Sequence, residues 1–282
     1  MSFLERMAAA SRVRVRAARA VESEAKLARR AERAPKPPRL ELAGFDIIAE
    51  LKLRSPAAGG LADRGFDPAA QLDAYAEGGA AAVSVLTEPI EFKGELAHLA
   101  SAAERLAPRR VPAMRKDFVT DPYQVLEARA AGAGGILVIV TMLDDDAVRT
   151  LVASARACGL FVLLEAFDAR DLERIAAFDD DAGLADPPIL AGVNCRDLRD
   201  LDVRFARFAE LAPQLPKRLA CVAESGIATA ADVATVAQLG YRLALVGSSL
   251  MRAADPRAAL ASLVAAGRAA RAALGAPARA EL

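Results

Sequence analysis

The chain has 282 residues, carries 37 basic and 37 acidic side chains and so no formal net charge, and is 54% hydrophobic. That length suits one (β/α)8 barrel of about 250 residues or two ordinary domains. The neutral balance offers no basic field to draw in a nucleic acid. No apolar run approaches the roughly 18 to 20 residues of a membrane span, and the N-terminus lacks the long apolar stretch of a secretory signal. Its Arg and Ala content resembles a transit peptide, but Glu5, Glu22 and Glu24 argue against one. Cys158, Cys195 and Cys221 have no metal-ligand spacing and read as free thiols of a reducing compartment, which points to the cytoplasm. The single histidine, His98, falls in a helical stretch and reads as a helix-flank residue, which excludes sites built on several His ligands.

Residues 1–44 are rich in Ala, Arg and Glu and end in Pro35-Lys36-Pro37-Pro38, which predicts an N-terminal extension of one or two helices followed by a linker. From residue 45 to the C-terminus a repeating unit sets in: a short β-prone run, a loop, a helical segment, a glycine. Eight strands are expected, at 46–52, 81–86, 111–115, 135–140, 160–165, 188–193, 219–223 and 242–246. Asp67-Pro68, Asp121-Pro122 and Asp255-Pro256 each place an N-cap acceptor before a proline at the first helical position. Thr229 and Asp232 have the spacing of a capping box, and Gly78, Gly132, Gly159 and Gly240 sit where helices end. Alternating βα units mean a parallel sheet, either closed or open. The even strand count and the lack of a dinucleotide glycine fingerprint favour an α/β fold of the closed (β/α)8 TIM-barrel type, with residues 45–282 as one barrel domain.

Barrel enzymes carry their chemistry at the C-terminal ends of the strands. Six of the eight expected ends are polar: Glu50-Leu51-Lys52, Arg115-Lys116-Asp117-Phe118, Glu165, Asn194-Cys195-Arg196-Asp197, Glu224-Ser225-Gly226 and Gly247-Ser248-Ser249. Alternation puts Glu50 and Lys52 on one face, and a charged pair pointing into a barrel is costly packing filler. The chain holds only six lysines against a large excess of arginine, and a lysine is a compact charge that can release its proton. Ser225-Gly226 and Gly247-Ser248 follow strands 7 and 8, where barrels bind phosphate with backbone N–H groups and a short helix, here expected over 248–253. The expected partner is therefore a phosphorylated small molecule.

The segments IIAELKLRSP (47–56), AAAVSVLTE (80–88), MRKDFVTDPYQVLEARAAGA (114–133), AGVNCRDL (191–198), AESGI (223–227) and LVGSSLMRAADP (245–256) together resemble the indole-3-glycerol phosphate synthase family of tryptophan biosynthesis. The resemblance runs in order over about 45–260. It implies a carboxy-lyase that converts 1-(2-carboxyphenylamino)-1-deoxyribulose 5-phosphate to indole-3-glycerol phosphate with loss of carbon dioxide and water. No metal or organic cofactor is implied. Lys116 would be the general acid of ring closure and Glu165 an acid/base partner in dehydration. Lys52 would contact the carbonyl or hydroxyl region, Glu50 would orient the lysines, and Asn194 would hold the reacting region. Which lysine serves which step stays open. Arg196 would bind anionic or hydroxyl groups; Ser225, Gly226, Gly247 and Ser248, helped by Ser55, would hold the phosphate. Phe92, Phe118 and Leu198 would wall the anthranilate ring.

Three departures stand out. Ala57-Ala58-Gly59 replaces the family's Ser-Lys-Gly, and Ala166-Phe167 replaces Val-His after Glu165. The aromatic residue near the family's N-terminus has Phe3 as its candidate. Another phosphate-binding barrel such as phosphoribosylanthranilate isomerase would want a Cys/Asp acid-base pair at strand ends, and none stands at its expected places. A specialised paralogue remains compatible with the departures, whereas a non-catalytic barrel would be expected to lose Lys116 or Glu165. A monomer or a weak homo-oligomer is expected.

Overall fold

The structure, a computed structural model, describes residues 2–52, 54–55, 59–60, 66–179, 186–196 and 202–275, without the side chains of 54, 55, 59, 60 and 275. Eight parallel strands close into a barrel: β1 (Asp46–Leu51), β2 (Ala82–Leu86), β3 (Ala113–Lys116), β4 (Gly135–Ile139), β5 (Phe161–Ala166), β6 (Ile189–Asn194), β7 (Ala220–Glu224) and β8 (Leu243–Val246). Each pairs with the next in sequence, and β8 returns to β1 through Asp46↔Leu243 to Ala49↔Val246. The third strand starts later than the sequence suggests. Pro112 has no N–H to give a ladder, and it joins the sheet only through its carbonyl, which accepts from Val83 N at 3.0 Å.

Helices cover the outside: α3 (Pro68–Glu77), α4 (Leu96–Leu106), α5 (Pro122–Ala130), α6 (Asp145–Ala157), α7 (Ala169–Ala176), α8 (Arg207–Leu211), α9 (Ala230–Gln238), the short α10 (Ser248–Met251) and α11 (Pro256–Gly275), after the N-terminal α1 (Phe3–Val21) and α2 (Glu24–Arg33). The Asp-Pro signals act as caps: the carboxylates of Asp67, Asp121 and Asp255 accept from Ala69, Tyr123 and Ala258 N–H at 2.8, 2.9 and 3.0 Å. Thr229 and Asp232 form the reciprocal capping box. Gly132, Gly159 and Gly240 take the left-handed conformation that ends a helix. Gly78 does not; it stays right-handed as the C-cap of α3, and Gly79, at φ +92°, makes the turn.

Strand alternation divides the core in two. Ile47, Ala49, Val162, Leu164, Ala191, Val193, Ala244 and Val246 point outward and pack beneath the helices. Ile48, Ala82, Met114, Leu137, Phe161, Leu163, Leu190, Val222 and Leu243 point inward and fill the barrel. The same parity, followed two residues further, or four from Leu190 past Gly192, aims Glu50, Lys116, Glu165, Asn194 and Glu224 into the upper layer of the interior.

Helices α1 and α2 are stitched to the β3–α5 unit. Arg19 holds Asp121 with two bonds of 3.0 and 2.8 Å, and Tyr123 Oη donates to Glu22 O at 2.9 Å. Arg129 donates to Pro35 O and Ala34 O at 2.9 and 2.8 Å, at the C-terminal end of α2. Val15, Leu27 and Tyr123 form a small apolar cluster under these bonds.

Gly135 pairs with Phe161 in register, and a Cβ at Gly135 would overlap the Phe161 ring. Barrel interiors are close-packed, so Gly135→Ala is expected to destabilise the fold by about 1–3 kcal/mol through overpacking. A lowered midpoint in urea unfolding is the expected result; an unchanged midpoint would mean that the ring has room to move.

Candidate active site

The C-terminal end of the barrel opens into a cavity of about 390 Å³. Its centre is a layer of charge. Lys116 Nζ lies 3.2 Å from Glu224 Oε2 and 3.3 Å from Glu165 Oε2, so one ammonium joins the ends of β3, β5 and β7. Asn194 Nδ2 donates to Glu165 Oε1 at 3.1 Å, and Asn194 Oδ1 accepts from Arg196 N at 3.0 Å. Lys52 pairs with Glu50 at 2.5 Å. Glycines make room for two of the acids. A Cβ at Gly192 would overlap Glu224 Oε1, and one at Gly247 would come within 2.5 Å of Glu50 Oε1.

Burial opposes the charge on Lys116, but Glu224, Glu165 and Glu50 outweigh it and raise its pKa above the ordinary lysine value. Burial likewise opposes the Glu50 carboxylate, and Lys52 and Lys116 outweigh it to lower its pKa. Glu224 goes the other way. Burial raises its pKa to about 8; Lys116 counteracts this, while Glu165 and Glu50 push it further up. Three buried acids face two lysines here, and Glu224 is the one that keeps its proton. Its Oε1 has no hydrogen-bond partner among the described residues.

The walls divide by chemistry. On one side Phe3, Phe92 and Phe118 line the cavity, with Phe118 5.9 Å from Phe3 edge-to-face and 6.4 Å from Phe92. Glu88 is buried at the base of the loop that carries Phe92, and its carboxylate accepts from Ile90, Glu91 and Phe92 N–H at 2.9, 2.7 and 3.1 Å. On the other side are Ser225-Gly226 and Gly247-Ser248. Ser225 and Gly226 both have positive φ, +68° and +74°, so the loop after β7 turns its backbone toward the cavity as few L-residues allow. The Cys195 thiol donates to Ser225 O at 3.2 Å. Gly247-Ser248 opens α10 as expected, although α10 ends at Met251.

The sequence-expected residues Glu50, Lys52, Phe92, Lys116, Phe118, Glu165, Asn194, Arg196, Ser225, Gly226, Gly247 and Ser248 all line this one cavity, and Phe3 joins them. Leu198, Ala57, Ala58 and the side chain of Ser55 lie outside the described residues. Phe167 packs against the inner core cluster, and its N–H donates to Asp171 at 3.0 Å. Sequence reasoning gave no role to Glu224, Glu88 or Arg252, all of which line the cavity. Glu224 was within reach, because it shares inward parity with Val222 just as Glu50 does with Ile48.

Glu224 also makes stability depend on pH. From the ordinary 4.5 up to about 8 the folded protein keeps a proton that the unfolded chain has released. Stability therefore falls as pH rises through that window. Glu224→Gln is expected to flatten this slope, measured as melting temperature against pH; an undiminished slope in the variant would show that another group carries it.

A family model for indole-3-glycerol phosphate synthase matches residues 4–263. The chain is 44% identical over 232 residues to indole-3-glycerol phosphate synthase of Kineococcus radiotolerans, covering 82% of this chain and 80% of that one. It is 40% identical over 260 residues to the enzyme of that name from Mycolicibacterium gilvum, covering 91% of each. Among solved structures, 3-hexulose-6-phosphate synthase from Salmonella typhimurium superposes with a TM-score of 0.60 at 13% identity, over 79% of this chain and 98% of that one. Thiamine phosphate pyrophosphorylase from Pyrococcus furiosus does so at 0.55 and 15%, over 80% and 96%. These two likenesses speak for the barrel fold alone. The family match spans nearly the whole chain, and the chain belongs to the indole-3-glycerol phosphate synthase family.

Proposed function

We propose that the protein makes indole-3-glycerol phosphate from 1-(2-carboxyphenylamino)-1-deoxyribulose 5-phosphate in tryptophan biosynthesis, with residues 45–282 as the catalytic barrel and 1–44 as an extension of the same domain. The observation that carries this reading beyond family membership is Lys116 bound to two carboxylates at the centre of a cavity whose two sides differ, one aromatic and one glycine- and serine-rich. The substrate is divided in the same way, into an aryl group and a phosphate.

In ring closure the aryl carbon bearing the carboxylate attacks the ribulose carbonyl carbon. The carbonyl oxygen takes a proton, and Lys116 is the donor. The carboxylates of Glu165 and Glu50 keep it charged at neutral pH, and the developing alkoxide is a stronger base than the lysine amine. The bond to the carboxylate then breaks, carbon dioxide leaves, and the electron pair restores the aromatic ring. In dehydration the new hydroxyl leaves as water and the adjacent methylene carbon loses a proton, which forms the pyrrole double bond. Glu165 serves this step, with one oxygen held by Asn194 and the other beside Lys116. Lys52 and Glu50 hold the hydroxyl region, and Arg196 binds an anionic or hydroxyl group of the substrate. The phosphate sits between Ser225-Gly226 and Gly247-Ser248, which line the cavity together. Phe92, Phe118 and Phe3 wall the ring.

No helix among the described residues is long and apolar enough to cross a membrane. Burial raises the Cys195 and Cys221 thiols to about 11 and about 12, so neither is a thiolate at neutral pH. A cytoplasmic enzyme, monomeric or weakly self-associating, suits these features.

The test is product formation by the purified protein, followed by indole absorbance. Lys116→Met is expected to lower kcat by about 10²–10⁴-fold while inorganic phosphate still competes with substrate; near-normal turnover in that variant would refute the assignment. A crystal grown with phosphate is expected to hold the anion between the β7 and β8 loops, and an anion bound elsewhere would remove those four residues from the site.

A further inference from the structure

Asp117 follows Lys116 and precedes Phe118, so it joins the proposed acid to the proposed ring wall. Its side chain is completely covered, at 0% exposure. Five donors meet it. Oδ1 accepts from Arg14 Nη2 at 2.7 Å and from Phe118 N at 2.8 Å. Oδ2 accepts from Thr87 Oγ1 at 2.8 Å, Arg115 Nη2 at 3.0 Å and Arg14 Nη1 at 3.2 Å. Arg115 also pairs with Glu127 at 3.0 Å, so two guanidinium groups and two carboxylates balance in one buried knot. Burial opposes the charge on Asp117, but Arg115 and Arg14 outweigh it and keep the group anionic.

Arg14 is the member that does not belong to the barrel. It comes from α1, 103 positions away in sequence. Three residues before it, Ser11 Oγ donates to Phe118 O at 2.5 Å, so α1 grips the chain on both sides of the Asp117–Phe118 peptide. A cavity of about 300 Å³ lies there, lined by Arg14, Thr87 and Arg115 among others. These polar bonds join α1 to the end of β3 beside the apolar contacts that Phe3 and Met7 of α1 make with the cluster of Phe118.

We propose that Asp117 is a positioning residue for the reaction, fixing Lys116 on one side and Phe118 on the other, and that Arg14 of α1 completes its setting. The inference rests on the reading of Lys116 given above. It assigns the outer helix a share in the geometry of proton transfer, through a bond that touches neither substrate nor lysine. Asp117 is one of the residues lining the cavity, but its carboxylate is covered by its donors, and its effect passes through the backbone it pins.

The decisive variant is Arg14→Met. The Arg14 side chain is 27% exposed, and methionine keeps an apolar stem of similar reach, so the barrel stays folded while the clamp is lost. Small displacements of a catalytic group cost up to about a hundredfold in rate, and this partial loosening is expected to lower kcat by about tenfold. The inhibition constant of inorganic phosphate, which reports the β7 and β8 loops across the cavity, is expected to stay unchanged. Arg14→Lys, which keeps the charge without the two-pronged geometry, should recover part of the loss. A lowered melting temperature with kcat unchanged would overturn the inference, because the clamp would then serve stability alone. Equal weakening of kcat and of phosphate inhibition would also overturn it, since the whole mouth would have loosened. Absence of turnover in the parent protein would instead remove the functional reading, and this inference with it.

Discussion

A closed barrel has one interior, and strand parity decides what fills it. In this chain the inward Ile48, Met114, Leu163 and Val222 are hydrocarbon, and the next inward positions on the same strands are charged. Glu50, Lys116, Glu165 and Glu224 enter one layer over Leu137, Leu163 and Val222, with Lys52 at its edge. Charge in such a place is tolerated only when paired. Each ammonium therefore lies against a carboxylate, and the acid left in surplus keeps its proton. The site is thus arranged before any substrate arrives. Groups that need no reorganisation during reaction are worth more than mobile ones, and here the cost of that arrangement is met by packing lower in the barrel.

The interior cannot hold this layer alone. Lys116 is the last residue of β3, where the ladder ends and the chain leaves for α5. A strand end of this kind is free to twist unless something outside it is fixed. The surrounding bonds supply that support from several directions: Glu88 gathers three N–H groups of the β2 loop, Cys195 holds the carbonyl of Ser225, and α1 reaches the β3 end. Each tie binds backbone, which suits a site whose side chains must remain available for chemistry.

Much of this was legible in the sequence. Eight β-prone runs at even spacing, with Asp-Pro caps between them, define the barrel, and parity places Glu50 and Lys52 inside it. Lys116 and Glu165 needed the resemblance as well, because a lysine at a strand end can as easily face a helix. What stayed hidden was pairing across long separations. Nothing local to Arg14 connects it with Asp117, and nothing in the segment around Glu88 says that its carboxylate turns back on its own loop. Glu224 was visible as a polar strand end, but its pKa is raised by burial, opposed by Lys116 and pushed further up by Glu165 and Glu50, and only closure of the barrel brings these together. The shift from Gly78 to Gly79 at the end of α3 has a smaller cause: with adjacent glycines, either can take the left-handed turn, and the local sequence does not choose.

The departure at Ala166-Phe167 bears on the edge of the site more than on its centre. A histidine after Glu165 would have placed a titratable group near the mouth. Phe167 instead packs against the inner core cluster, and its backbone is held by Asp171 and by the guanidinium of Arg207. No member of the charged layer loses a partner through this change. The two walls of the cavity are likewise untouched by it, since the aromatic wall comes from α1 and the loops after β2 and β3, and the serine and glycine wall comes from the loops after β7 and β8. On the proposed reading these walls anchor the two ends of the substrate on opposite sides of the barrel, and the reacting carbons must then lie between them. Lys116, reaching from β3 to acids on β5 and β7, spans that interval, whereas Lys52 is tied to Glu50 of its own strand. The geometry thus supports Lys116 over Lys52 as the acid for ring closure, a choice the sequence left open.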